Sequence, residues 1–212
     1  MASCARVVNS RSLRRLAIGA QVTNLPHMLK LTNYAWLFLI FGGALVQAQE
    51  LAAGKLLVAS RKSVDPDLAK SVVLLVRYQE QGAIGLIVNR RSNVPLSEIF
   101  PALKSARAQV YKGGPIAIGI RGLLRSRSKP EPGLHVFGDV SMISNSRVTE
   151  DLVRAGASPG TFRVYAGYVG WSTQQLKSEV ALGLWRVLPG DANVVFDPDP
   201  EKVWGRLMSR LH

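Results

Sequence analysis

The chain has 212 residues, 27 Lys+Arg against 14 Asp+Glu, three His and one Cys, for a formal net charge of +13. With 47% hydrophobic, 19% charged and 7% aromatic residues, the composition is globular and excludes both a disordered chain and a multi-span membrane protein. The length fits one domain plus an appendage, and a body of about 160 residues buries a core without disulfide staples.

The charge is uneven. Residues 1–48 carry Arg6, Arg11, Arg14, Arg15 and Lys30 and no acid, which leaves 22 basic and 14 acidic residues in 49–212. Tyr34–Val46 (YAWLFLIFGGALV) is an uncharged run of 13, short of the roughly 20 residues of a membrane span and suited to the apolar region of a signal peptide. Val46-Gln47-Ala48 follows as a small-x-small site, so cleavage after Ala48 and export are expected. Counted from Met28 the signal has an ordinary length, which makes Met28 a candidate start. Two alternatives stay open: an Arg- and Ser-containing organellar transit peptide, or an uncleaved anchor, with cytoplasmic residence as a further possibility. The expected division is therefore a targeting segment, 1–48, and one domain, 49–212. Cys4 is the only cysteine, so 49–212 can form no disulfide framework, thiol nucleophile or Cys-ligated zinc site.

Along the body, Gly54–Ser60 reads as a strand and Asp65-Pro66-Asp67 as a turn. Ser71–Tyr78 is a near-continuous apolar run, as in a strand covered on both faces. Gln79–Gly82 connects it to Ala83–Asn89 as a hairpin. Pro95–Phe100 predicts one helical turn. Gln109–Tyr111 leads into a bend at Gly113-Gly114-Pro115, and Ile116–Leu124 extends as a strand. Arg125–Gly133 is a polar loop. Leu134–Phe137 and Ser141–Ile143 pair across Gly138-Asp139. Arg147–Ala157 is a helix capped at Asn145 or Ser146, and Phe162–Val169 alternates as a strand. Ser172 starts the next helix in a capping box, with Gln175 placed to reach back to the cap amide. Leu184–Leu188 and Val194–Phe196 read as short strands. Asp199-Pro200-Glu201 opens the last helix, with Val203, Trp204, Leu207, Met208 and Leu211 as its apolar stripe. Strands and helices mix without βαβ alternation, which predicts an α+β fold.

Chemistry is sparse. His135 and His212 stand alone, without an HExxH motif or a Cys/His cluster, so no metal or cofactor is expected. Asp197 and Asp199 read as helix-start residues rather than a cation loop. No GxSxG, P-loop or GxGxxG occurs, so catalytic residues are expected to be none. The basic loop Arg121, Arg125, Arg127 and Lys129, with Arg90-Arg91, Lys104, Arg107 and Lys112, forms a candidate anion-attracting face. It faces only Glu131 nearby. Without a base-reading element it predicts weak, sequence-independent binding to nucleic acid or an anionic surface.

The order of GKLLVAS (54–60), SVVLLV (71–76), GAIGLIVNR (82–90), YKGGPI (111–116), GYVGWSTQQLKSEV (167–180) and a Trp-bearing final helix resembles the YqgE/AlgH family of bacterial proteins. The resemblance covers about residues 54–210. It implies a single α+β domain with a bifurcated, partly barrel-like mixed β-sheet surrounded by helices. It also implies no agreed enzymatic activity and no cofactor; some members are labelled transcriptional regulators. The sequence departs from the family pattern at Arg91, where proline is usual, and in Ser172-Thr173-Gln174, where Gly-Pro-Gly is usual. Asn89, Arg90, Gly113, Gly114, Trp171 and Gln175 stand in the shared motifs as candidate ligand-binding residues. Read physically, Asn89 and Arg90 end a strand, where they cap turns or bind an anion. Trp171 staples the start of a capped helix. The functional expectation is a non-enzymatic domain that binds a protein partner or a small anion; the alternative is a regulator associated with nucleic acid.

Overall fold

The computed structural model describes residues 50–63, 65–103, 108–127 and 133–211, with only the backbone of residues 117 and 118. The targeting segment, Val64, Lys104, Arg107, Lys129, Glu131 and His212 lie outside the described residues. In chain order the first elements are β1 (Leu56–Ala59), β2 (Val72–Gln79), β3 (Gly82–Ile87), β4 (Arg91–Pro95), α1 (Leu96–Ile99), β5 (Gln109–Lys112) and β6 (Ile116–Arg125). They are followed by β7 (Leu134–Phe137), β8 (Val140–Ile143), α2 (Ser146–Arg154), β9 (Phe162–Trp171), α3 (Thr173–Ala181), β10 (Trp185–Leu188), α4 (Ala192–Val195) and α5 (Pro200–Arg210).

The apolar run that starts at Val72 is buried on both sides because a helix covers each face of the sheet. Val72, Leu74 and Val76 join Leu56, Val58 and Leu86 under Val203, Leu207 and Met208 of α5. Val73 and Leu75 point the other way, to Leu57, Ile87 and Leu176 of α3. Each fully buried Val or Leu contributes about 1.5–3 kcal/mol, so this two-sided strand is a large contributor to stability. α3 starts where Ser172 accepts the Gln175 amide, and α2 where Asn145 accepts the amides of Arg147 and Val148. These caps satisfy N–H groups that have no partner inside the helix.

The strand order is β10-β1-β2-β3-β9-β6-β8-β7, with β4 on β5 and β5 on β9. β9 is the fork. One of its edges pairs antiparallel with β6 along its length. The other edge pairs with β3 at residues 169–171 and, in parallel, with β5 at Tyr165 and Ala166. The sheet is therefore bifurcated and curls into a half-barrel of α+β type, as expected.

Some local expectations change. Gln79 pairs with Gly82, so the hairpin connection is Glu80-Gln81, two residues and not four. Val194–Phe196 is not a strand: Asp191 accepts the Asn193 amide and caps α4 there. Gln175 does not reach back to the cap amide; its Nε2 donates to Glu179 at 2.8 Å. Arg91–Pro95 adds a strand not legible in the sequence.

The Gly113-Gly114 bend lets two backbones touch. A Cβ on Gly114 would lie 2.1 Å from the Tyr168 carbonyl carbon, and one on Gly113 2.4 Å from the Gly167 oxygen. Backbone cannot yield as a side chain can, so Gly114→Ala is expected to cost about 1–3 kcal/mol or more. Gly205, inside α5 with open space around it, gives the opposite sign: Gly205→Ala stabilises by about 0.5–1 kcal/mol. Urea unfolding of the two variants checks both.

Candidate functional site

The motif residues are placed in two separate junctions. At the first, Asn89 Oδ1 accepts the Val72 amide at 2.7 Å and its Nδ2 donates to the Lys70 carbonyl. Arg90 donates to the carbonyls of Asp67 and Ala69 at 2.6 and 2.8 Å. Both side chains clamp the loop between β1 and β2. At the second, Glu179 accepts the indole N–H of Trp171 at 3.0 Å and of Trp185 at 2.7 Å on one oxygen, and Gln175 on the other. The two indoles meet edge to face, with centroids 5.9 Å apart. Trp171 packs with Leu176, four residues into the helix turn, as the staple predicts. Glu179, which organises this junction, lies inside the shared 167–180 stretch but is not among the candidate site residues read from the sequence. Gly113 and Gly114 serve the close backbone approach described above, with Gly114 also at the edge of a groove beside Asp67 and Lys112.

The basic face is only partly free charge. Arg125 Nε donates to Asp139 at 2.9 Å and its Nη1 to Asn193, so Asp139 supplies a counter-charge that the sequence did not mark. The Arg121 guanidinium lies 4.6 Å from the Tyr168 ring centroid. Arg127 is exposed. Lys112 approaches Asp67 at 4.0 Å.

A different cavity, of about 440 Å³, opens between β4, β5, the end of α2, the start of β9 and the segment after α4. Arg163 at the start of β9 is only 3% exposed and contributes to its lining. Its guanidinium is held by Tyr111 and Phe196, whose ring centroids lie 4.7 and 5.7 Å away. Three of its N–H groups donate to the carbonyls of Pro159, Val195 and Asp197. A guanidinium has five N–H donors and no acceptor, so two remain. Among the described residues no carboxylate comes within ion-pair distance of Arg163. Arg91 lines the same cavity, with its side chain 39% exposed and reaching the Pro198 carbonyl and Glu201. Leu96, Val153, Phe162 and Val164 supply apolar wall, and among the described residues no acid lines the cavity.

Two ionisable groups sit around Arg163. Partial burial tends to raise the Asp197 carboxyl pKa, but hydrogen bonds from Arg206 and the Asp199 amide, with the Arg206 and Arg163 charges, outweigh it and hold the group below its usual range. That carboxylate is bound by Arg206; Arg163 reaches only the Asp197 carbonyl. The Tyr165 hydroxyl is fully buried and, among the described residues, meets no partner with good hydrogen-bond geometry, although the Arg163 guanidinium lies close enough to interact with it. Burial pushes its pKa far above the usual value, against the opposing charge of Arg163. Among the described residues no group of three or more His, Cys, Asp or Glu is placed to hold a metal ion.

A match to the family described as AlgH-like covers residues 56–212. The chain belongs to the AlgH-like family. It is 32% identical over 163 residues to the UPF0301 protein AlgH of Pseudomonas aeruginosa, covering 73% of this chain and 86% of that one. It is 31% identical over 167 residues to a UPF0301 protein of Streptomyces avermitilis, covering 74% and 85%. The solution structure of the Pseudomonas AlgH superposes with a TM-score of 0.61 at 30% identity, over 74% of this chain and 87% of that one. A crystal structure of a protein from Corynebacterium diphtheriae gives 0.64 at 25% identity, over 76% and 87%. The AlgH-like fold and the forked sheet are thus shared, and the Arg163 cavity sits at its fork.

The poorly partnered hydroxyl gives a prediction. A buried polar group without a partner costs about 1–3 kcal/mol, and removing it costs nothing in hydrogen bonding. Tyr165→Phe is therefore expected to leave the urea midpoint unchanged or to raise it. A fall of more than about 1 kcal/mol would reveal a hydrogen bond to ordered water or to Arg163.

Proposed function

We propose that this AlgH-like chain is a non-enzymatic binding domain for a small organic anion, seated between Arg91 and Arg163. One observation carries the reading: a guanidinium 3% exposed, without an acid partner among the described residues, lines a cavity that has apolar walls. A buried charge without a counter-charge is costly. An incoming carboxylate offsets that cost, and the planar fork of Arg suits a planar carboxylate. Among the described residues, the cavity lining includes no Ser, Thr, Cys, His, Asp, Glu or Lys, which supports binding without a nucleophile–base pair. Its volume lies at the small end of the range of ligand sites.

A ligand that binds only the folded state raises its stability by mass action. Benzoate and hexanoate are expected to raise the melting temperature in a saturable way beyond chloride at equal ionic strength, and to shift amides near Arg91, Tyr111 and Arg163. Arg91→Gln, at an exposed side chain, is expected to weaken binding about tenfold, the scale of one charged hydrogen bond. Loss of binding by wild type to every anion tested would remove the proposal. Duplex DNA is the control: the reading expects affinity of roughly 10⁻⁴–10⁻⁶ M, equal for unrelated duplexes and falling with salt. Nanomolar binding to one duplex would favour the nucleic-acid regulator instead.

Export is proposed with it. The 13-residue apolar run and the Val46-Gln47-Ala48 site support cleavage after Ala48. No helix among the described residues is long and apolar enough to cross a membrane. N-terminal sequencing of the native protein is expected to begin at Gln49. A chain that retains Tyr34–Val46 in the cytosol would contradict this.

A further inference from the structure

The loop between β1 and β2 is held with unusual expense of hydrogen bonds. Arg90 binds the carbonyls of Asp67 and Ala69, and Asn89 binds that of Lys70 and the amide of Val72. Within this clamp Lys70 adopts φ +55°, the only non-glycine residue with positive φ among the described residues. That region is unfavourable for a residue with a Cβ and free of this strain for glycine. Backbone strain that the surroundings enforce gathers at functional sites. The chain nevertheless carries an exposed lysine at this position.

The strained lysine faces a groove of about 400 Å³ that it shares with Ser60, Arg61, Ser63, Ala69 and Trp204. The Trp204 indole is fixed there by its N–H, which donates to the Ala59 carbonyl at 2.7 Å. Among the described residues the lining thus holds two exposed cations, two hydroxyl-bearing residues and an aromatic ring, and no acid. Cations and hydroxyls recognise phosphate oxygens, and an anchored aromatic face offers a stacking surface to a flat ring.

We propose that this groove is a second ligand site, for a nucleotide: a phosphate on Arg61 and Lys70, with its flat ring on Trp204. The groove has room for a mononucleotide rather than a strand. The Asn89-Arg90 clamp acts as its positioning device, because it fixes the loop that carries Lys70. The proposal is independent of the Arg91–Arg163 cavity, which is lined by none of these residues.

The test is a titration of the full chain with AMP, followed on the Trp204 indole N–H and the amides of Arg61 and Lys70 by NMR. AMP is expected to move these resonances saturably, and inorganic phosphate and adenosine to bind at least about tenfold more weakly, since each makes half of the contacts. Lys70→Gly separates strain from binding. It is expected to keep or raise the melting temperature, because glycine accepts positive φ, and to weaken AMP about tenfold. Arg61→Gln, at an exposed side chain, is expected to weaken AMP similarly with an unchanged melting temperature. The proposal is overturned if AMP leaves the groove resonances unmoved, or if Lys70→Gly binds AMP as wild type does. It is overturned equally if Lys70→Gly lowers the melting temperature, which makes Lys70 a fold residue, or if a thymidine octanucleotide binds where AMP does not.

Discussion

The packing of one guanidinium ties the forked half of the fold together. Arg163 starts β9, the strand on which the sheet divides. Its side chain fastens two chain segments, through Pro159 and through Val195 and Asp197, and lies against rings from β5 and the end of α4. Most of its bonding capacity goes into the fold. What remains is a charge without an acid beside it, at the edge of a cavity that the fork leaves open. Under the proposed function, the fold and the ligand draw on the same group. Asp197 illustrates the arrangement: Arg206 takes its carboxylate, so the one acid close enough to feel Arg163 does not neutralise it directly.

The motif residues spend most of their polar groups on the fold itself. Asn89 and Arg90 spend their donors and acceptors on the backbone of the β1–β2 loop. Trp171 and Gln175 converge on Glu179, which keeps two buried indole N–H groups satisfied. Buried donors left without such a partner would each cost about 1–3 kcal/mol. The glycines at 113 and 114 serve a backbone contact with β9. The motif residues thus mark how the fold is joined, and Gly114 and Trp171 also line grooves beside those joints.

Much of the fold was legible in the sequence, for physical reasons. The β2–β3 hairpin and the two-sided burial of Val72–Val76 follow from an apolar run with turn residues after it. The caps at Asn145 and Ser172 follow from side chains that accept amide protons. β4 was hidden because Arg91–Pro95 is a largely exposed edge strand with a proline, so neither alternation nor apolar content marks it. α4 was read as a strand because Val194-Val195-Phe196 has β propensity; the Asp191 cap and a short helical turn override it. The Arg163 cavity was not legible. Arg91, Tyr111, Arg163 and Phe196 are far apart in sequence. In an alternating strand, Arg163 reads as a solvent-facing residue until the fork of the sheet covers it.

The central claim is that the charge of Arg163 awaits an organic anion in this cavity. A crystal of the protein grown with 4-bromobenzoate tests it directly, because the bromine is located by its anomalous scattering. The account predicts a bromine against the apolar wall of Leu96, Val153 and Phe162, with the carboxylate in the plane of the Arg163 guanidinium and within reach of Arg91. A cavity filled by ordered water, with the remaining Arg163 N–H groups bonded to that water and the bromine elsewhere, would contradict it.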